Sequence, residues 1–391
     1  MSAEIILIVL SSVVILSYAF DMIARQYKIP SVILLLFSGI VLRYLTTFFE
    51  INLPNLKPLL PVIGTLGLIL IVLEGALELR LERSKAKIIR TAFYSAGIIL
   101  LLTTAALAAF LSYWSDAGFY QCFLNAVPLG IISSAIAIPS ASVLTEARKD
   151  FIVYESSFSD ILGIILFNFI LSNEVITGNS FLQLGYQTLL IILISGVFCL
   201  VLLYLLKRIT HHLKFFLILA MLIFVYAIGK YYHLPTLVIV LVFGLFMNNL
   251  HWNKFEWFNK TFQYEGFGKD LHLLSQISGE SAFIVRTFFF LIFGFYLEVD
   301  SLLQSDIIKS GAFMVALIYL IRIVYQKFFI RDISWAEILT SPRGLISILL
   351  FINIPAEKQL AVVSDGLLFF IILVTSLIMT FALVANREKK L

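Results

Sequence analysis

Cysteine, charge and the motifs of soluble catalysis are what this sequence has least of. Its two cysteines, Cys122 and Cys199, fall inside apolar runs, which excludes a disulfide framework and a thiolate metal site and leaves both as small buried hydrophobes. Five histidines, His211, His212, His233, His251 and His272, sit in expected loops or at span ends, and no HExxH or Walker-type sequence occurs. Nothing here suits a transition metal, an ATP site or a catalytic nucleophile, so an enzyme is not expected, and His211-His212 reads as a solvated surface pair. Charged residues make up only 13% of 391 positions against 61% hydrophobic, and the mean hydropathy is +1.01. That excludes a soluble domain and leaves a polytopic membrane protein. The net charge of +4 says little by itself, and no nucleic-acid partner is expected; the placement of the charges says more.

What is there is a series of apolar runs. Taking about 17–25 residues as a span, thirteen are expected, roughly 5–24, 29–46, 61–79, 91–113, 119–145, 154–172, 183–206, 214–232, 234–249, 281–298, 309–331, 341–355 and 362–386. The N-terminal Met1-Ser2-Ala3-Glu4 has no basic stretch, and no cleavage site follows, so the first run is expected to be a retained span. Arg25, Lys28, the cluster Arg80, Arg83, Lys85, Lys87 and Arg90, then Arg148, Lys149, Lys207, Arg208, Lys214, Lys254, Lys260, Lys269, Lys327, Arg331, Arg387, Lys389 and Lys390 fall on one side. Only Lys57, Lys230, Lys309 and Lys358 fall on the other. By the positive-inside rule the N-terminus is outside the cell membrane and the C-terminus cytoplasmic. The stretch 250–280, with Trp252, Trp257, Phe262 and Tyr264, reads either as a linker at headgroup level or as an ordinary loop.

One apolar run carries acids. In Tyr154-Glu155-Ser156-Ser157-Phe158-Ser159-Asp160, Ser156 and Asp160 are four apart, as are Glu155 and Ser159, so the polar groups share a broad helical face. A carboxylate at mid-bilayer costs about 2.5–3.5 kcal/mol on insertion scales, so it faces a polar cavity or a partner charge. That face reads as an ion site; the plain alternative is a helix start capped after an Arg148-Lys149-Asp150 loop. Among the arginines within spans, Arg43 is expected to snorkel from a helix end. Arg322 and Arg343 need partners, with Glu155 available to one of them; Arg286 is a further buried base.

Two spans look broken. The fifth contains Pro128 and Pro139, where proline removes a donor and frees a carbonyl one turn earlier. The twelfth is short, between Pro342-Arg343-Gly344 and Pro355. Interrupted helices at corresponding places in two halves point to a secondary transporter built on inverted repeats. Glu74, deep in the third span, with Ser156, Ser159, Asp160 and the freed carbonyls near Ala137 and Ile138, supplies the oxygens a hard monovalent cation needs. Such a carboxylate can hold either a proton or a metal ion, and a vacant, charged site crosses a dry barrier poorly. The result is exchange.

At these residues the chain resembles the monovalent cation:proton antiporter family, in its sodium/proton exchanger branch, over most of its length. Glu155-Ser156-Ser157-Phe158-Ser159-Asp160 is similar to that branch's E-S-x-x-N-D signature, Leu73-Glu74-Gly75-Ala76-Leu77-Glu78-Leu79 to its E-G-x-L-E-L, and Pro342-Arg343-Gly344-Leu345 to its R-G motif. Arg322 resembles the buried base of its eleventh span, and Lys28-Ile29-Pro30-Ser31-Val32-Ile33-Leu34 the start of its second.

The resemblance implies an all-α, roughly thirteen-span homodimer in the lipid bilayer, with a mobile core bundle at about 91–172 and 309–386 moving against a scaffold at about 5–79 and 183–298. Within one domain of 1–391, repeat 1 covers about 5–172, a linking span 183–206, and repeat 2 about 214–386. It implies Asp160 as the shared H+ and cation carboxylate, Glu74, Ser156 and the broken fifth span as further ligands, and Glu155 paired with Arg343 as structural support. Na+, with K+ or Li+ as alternatives, and H+ are the expected substrates, without a cofactor. Two departures stand out: Ser159 replaces the signature's Asn, and Ala137-Ile138-Pro139 replaces a usual T-D-P. With Asp160 the main unpaired carboxylate, one-for-one electroneutral exchange is expected. A cation channel or a non-transporting ion or pH sensor on the same fold is the alternative.

Overall fold

The computed structural model describes the chain except residues 1–2, 28–29, 51–54, 80, 175–177, 209–213, 232–235, 250–265, 300–303, 331–332 and 389–391. Trp252, Trp257, Phe262 and Tyr264, and His211-His212 with His233 and His251, lie outside the described residues. The described elements are helical. They are α1 (Ala3–Tyr27), α2 (Ser31–Phe48), α3 (Leu60–Glu78), α4 (Ala86–Trp114), α5 (Phe119–Gly130), α6 (Ser134–Ser140), α7 (Glu146–Ser172) and α8 (Gly178–Arg208). After them come α9 (Lys214–Tyr231), α10 (Leu237–Asn248), α11 (Phe267–Tyr296), α12 (Ser305–Phe329), α13 (Trp335–Leu339), α14 (Leu345–Ile352) and α15 (Asp365–Glu388). Among the described residues, nine helical segments are long and apolar enough to cross a membrane, and shorter apolar helices lie at Leu193–Tyr204, Phe215–Tyr231 and Leu237–Asn248.

Helix α4 shows how such a chain packs. Ala92, Ser95, Ala96, Ile99, Leu100, Thr103, Thr104, Leu107, Ala108 and Leu111 are buried, a stripe repeating every three or four residues. It is rich in small side chains, which let helices approach closely in lipid, where apolar surface alone gives no preference for the interior. Phe93, Tyr94, Leu101 and Leu102 point outward. The helices pack in two groups. One is α1, α2, α3, α8, α9, α10 and α11; the other is α4 to α7 with α12 to α15. The groups meet where α3 touches α6, α7 and α14, and where α10 touches α7. Within the first group α2 and α11 approach so closely that a Cβ on Gly294 would collide with the Leu36 carbonyl.

Several boundaries differ from those the sequence suggests. Helix α7 begins at Glu146, not after Asp150, so Arg148-Lys149-Asp150 is its first turn and Asp160 lies about 21 Å along its axis. Neither Glu155 nor Asp160 caps anything. Helix α11 starts at Phe267, so residues 267–280 are helix rather than linker. Arg43 does not snorkel: its Nη1 donates to the Leu297 carbonyl at 2.7 Å, capping the end of α11. The fifth span breaks at 131–133, where α5 gives way to α6, and not at Ala137 or Ile138, which lie within α6. The twelfth has its other half in α13, ahead of a break at 340–344.

Three of the four sparse lysines, Lys57, Lys230 and Lys358, have partners near one another at one end of the bundle. Lys358 reaches Glu174 at 2.7 Å, and this hydrogen bond raises the pKa of its ammonium. Lys230 donates to Asn353 at 3.0 Å, and Lys57 lies near Asp365. At the opposite end Lys85 meets Asp150 at 2.7 Å and Arg148 meets Glu337 at 3.4 Å.

Candidate functional site

Two chain breaks cross in the middle of the second group. Ser133, in the first, donates its backbone N–H to the carbonyl of Pro342, in the second, at 2.9 Å. A Cβ on Gly344 would sit 2.5 Å from Ser133 Oγ, so only glycine allows this approach. Helix α7 runs past the crossing and supplies what the first break lacks. Ser159 Oγ accepts the Ile132 N–H at 2.9 Å, and Asp160 Oδ2 accepts the Ser134 N–H at 3.2 Å. Asp160 is 6% exposed, and its Oδ1 is buried without a partner. Among the described residues no lysine or arginine lies within ion-pair distance of it. Ser156 Oγ donates to its own helix, to the Ile152 carbonyl at 2.7 Å, and Ser157 Oγ is buried without a partner.

The helices that end at the breaks leave carbonyls that lipid cannot satisfy. Two arginines take them. Arg343 donates from Nε to Leu129 O at 2.8 Å and from Nη2 to Gly130 O at 3.3 Å, closing α5, and from Nη1 to Ser341 O and Oγ. Arg322 donates to the Glu337, Ile338 and Thr340 carbonyls, closing α13, with Nε at 2.6 Å from Ile338 O. It also grips Glu155 in a fork, Nη2 to Oε2 at 2.6 Å and Nη1 to Oε1 at 3.2 Å. The expected pairing of Glu155 with Arg343 is therefore corrected: the partner is Arg322, and Arg343 faces backbone. Ser95 Oγ and Gln326 Nε2 complete the Glu155 carboxylate at 2.6 and 3.0 Å. Sequence reading missed both, although Ser95 and Gln326 are the kind of polar residue in an apolar helix that signals such a role.

A funnel of about 460 Å³ leads in from the basic end of the bundle, between the ends of α1, α3 and α6 and the middle of α11. Asp21, Glu74, Glu78 and Glu280 line it, with Arg286 as the basic residue among its described walls, and Ser134 and Ala135 at depth. Ser134 thus faces the funnel and donates to Asp160. Such a surplus of carboxylates concentrates cations. Glu74 Oε2 lies 3.5 Å from Arg286 Nη2, and Arg286 Nη1 lies 3.4 Å from the Ala135 carbonyl. Pro139 has no N–H for that carbonyl, so Ala135 is the oxygen it frees. The carbonyls of Ala137 and Ile138 are not free, because both accept the Ala141 N–H at the end of α6. No cluster of three or more His, Cys, Asp or Glu residues suited to a metal ion occurs among the described residues.

The family model described as sodium/hydrogen exchanger, transmembrane, matches residues 9–386. The chain belongs to the sodium/hydrogen exchanger family. The exchanger is accordingly a transporter and not an enzyme, and it exchanges cations for protons; the channel or sensor reading is not favoured. Its fold is similar to that of the sodium proton antiporter MjNhaP1 from Methanocaldococcus jannaschii at pH 8, with a TM-score of 0.74 and 18% identity over 97% of this chain and 100% of that one. An electron-microscopy map of MjNhaP1 from the same organism gives 0.70 and 16%, over 99% and 96%. No curated protein matches the exchanger in sequence.

Proposed function

We propose that the exchanger moves Na+ in one direction and H+ in the other, one for one, with Asp160 as the carboxylate that holds either. The observation that carries this is the state of Asp160: buried at the crossing of two breaks, with no guanidinium among the described residues within ion-pair distance and one oxygen unclaimed. Glu155, five residues earlier, is already neutralised by Arg322, and Glu74 lies opposite Arg286. That leaves one net negative charge for one monovalent cation or one proton, so the occupied forms are neutral and cross readily. Glu74, Ser156 and Ser159 are the further oxygens assigned to the path, with K+ or Li+ as alternative cations. Glu155 and Arg343, with Arg322, hold the site's frame, and no cofactor enters the scheme.

Thirteen crossings, an N-terminus outside the cell membrane and a cytoplasmic C-terminus complete the proposal. In that orientation the acidic funnel opens to the cytoplasm. The helix group of α4 to α7 and α12 to α15 is the moving part, carried against the other group within a homodimer.

The test is proton flux in proteoliposomes holding the full chain, driven by a Na+ gradient. Asp160→Asn is expected to reduce flux to the level of empty liposomes, and the parent rate is expected to be indifferent to an imposed membrane potential. An Asp160→Asn protein as active as the parent would sink the assignment.

A further inference from the structure

Arg286 does more than balance the charge of Glu74. Its side chain, 15% exposed, bridges the two helix groups: Nη2 meets Glu74 on α3 at 3.5 Å and Nη1 meets the Ala135 carbonyl on α6 at 3.4 Å. Its Nε is buried with no partner. Charge-assisted bonds run about 2.7–2.9 Å, so this guanidinium is held loosely, whereas Arg322 and Arg343 make contacts of 2.6 Å. The Ala135 carbonyl is open to it only because Pro139 has no N–H to offer one turn later. A carboxylate and a freed carbonyl are also what a dehydrating alkali cation seeks on its way past Ser134 to Asp160.

We infer that Arg286 is a tethered competitor of the transported cation: it occupies Glu74 and the Ala135 carbonyl in the empty funnel, and entering Na+ displaces it before reaching Asp160. The inference rests on the reading of Asp160 as the carrier. Displacement also undoes a contact between α11 and α6, which belong to different helix groups, so cation arrival loosens the hold of one group on the other.

The experiment is initial H+ flux against Na+ concentration in proteoliposomes of the parent, Arg286→Gln and Pro139→Ala. With the competitor removed, Arg286→Gln is expected to lower the KM for Na+ by about two- to fivefold, the range set by a partly exposed ion pair, and by more than any change in maximal rate. Pro139→Ala keeps the charge but restores an N–H for Ala135, which takes that carbonyl from guanidinium and cation alike, so it is expected to move KM by less than Arg286→Gln does. Choline chloride screens the general field of the funnel, so the KM ratio between parent and Arg286→Gln is expected to persist when it is added. An unchanged or higher KM in Arg286→Gln, eluting like the parent on gel filtration, overturns the inference. So does a ratio that choline chloride collapses to one. If Asp160→Asn, measured alongside, is inactive while these results are negative, only the competitor role fails; if Asp160→Asn is active, the carrier assignment fails first.

Discussion

Glu155 and Asp160 are five residues apart on one helix, and of these two acids only Glu155 meets the buried Arg322 guanidinium. Arg322 closes a two-pronged contact on Glu155 at 2.6 and 3.2 Å, while Asp160 receives a backbone N–H at 3.2 Å and keeps an oxygen without a partner. A residue spacing of five turns the two side chains about 140° apart around the axis. One therefore faces α12 and α4, and the other faces the crossing breaks. That division lets one carboxylate serve as frame and the other as carrier.

The Glu155–Arg322 contact is expected to behave as a coupled unit. Removing either partner leaves a buried charge or empty carbonyls, at a cost of about 3–5 kcal/mol. Arg322→Ala is expected to cost more than Glu155→Ala, because Arg322 also closes the end of α13. Unfolding in micelles titrated with SDS measures both, and the double variant is expected to fall short of the sum by about 1–3 kcal/mol. Strict additivity would mean that the contact contributes no coupling.

Arg343 makes its contacts as a fork, to Leu129 O, Gly130 O and Ser341. An ammonium is a point charge and cannot span the same carbonyls. Arg343→Lys is expected to destabilise the protein by about 1–3 kcal/mol through unsatisfied buried carbonyls and to lower exchange with it. Thermal unfolding in detergent and flux in proteoliposomes read the two effects; parent-like values in both would remove the cap from the account.

Where the breaks cross, Gly344 faces the Ser133 side chain. Gly344→Ala is expected to cost about 1–3 kcal/mol from overpacking, and adding Ser133→Gly is expected to recover part of the loss, since the Ser133 Oγ and Cβ are the atoms in the way. Melting temperatures of the two single variants and the pair decide it. A pair no better than Gly344→Ala would place the obstruction elsewhere, at Ile136 for example, whose Cδ1 is also within 2.9 Å of the added methyl.

Much of the site was legible in sequence because charge is so costly in an apolar run. Asp160, Glu155 and Glu74 stand out for that reason alone, and Pro139 and Pro342 mark disrupted helices. The location of the first break was not legible. Pro139 signalled a freed carbonyl, and one exists at Ala135, yet the chain opens earlier, at 131–133, since backbone groups there find partners in Ser159, Asp160 and Pro342. Those partners lie on other helices, and no local propensity announces them.

By itself the sequence determined that the chain is apolar enough to live in a bilayer, how its apolar runs are arranged and which acids they bury, because hydropathy and desolvation act residue by residue. Only the tertiary structure decided which arginine neutralises Glu155, which oxygen Pro139 releases and what faces Asp160. Arg322 and Arg343 are chemically alike and both far along the chain from α7, so the choice between them depends on where packing sets each helix.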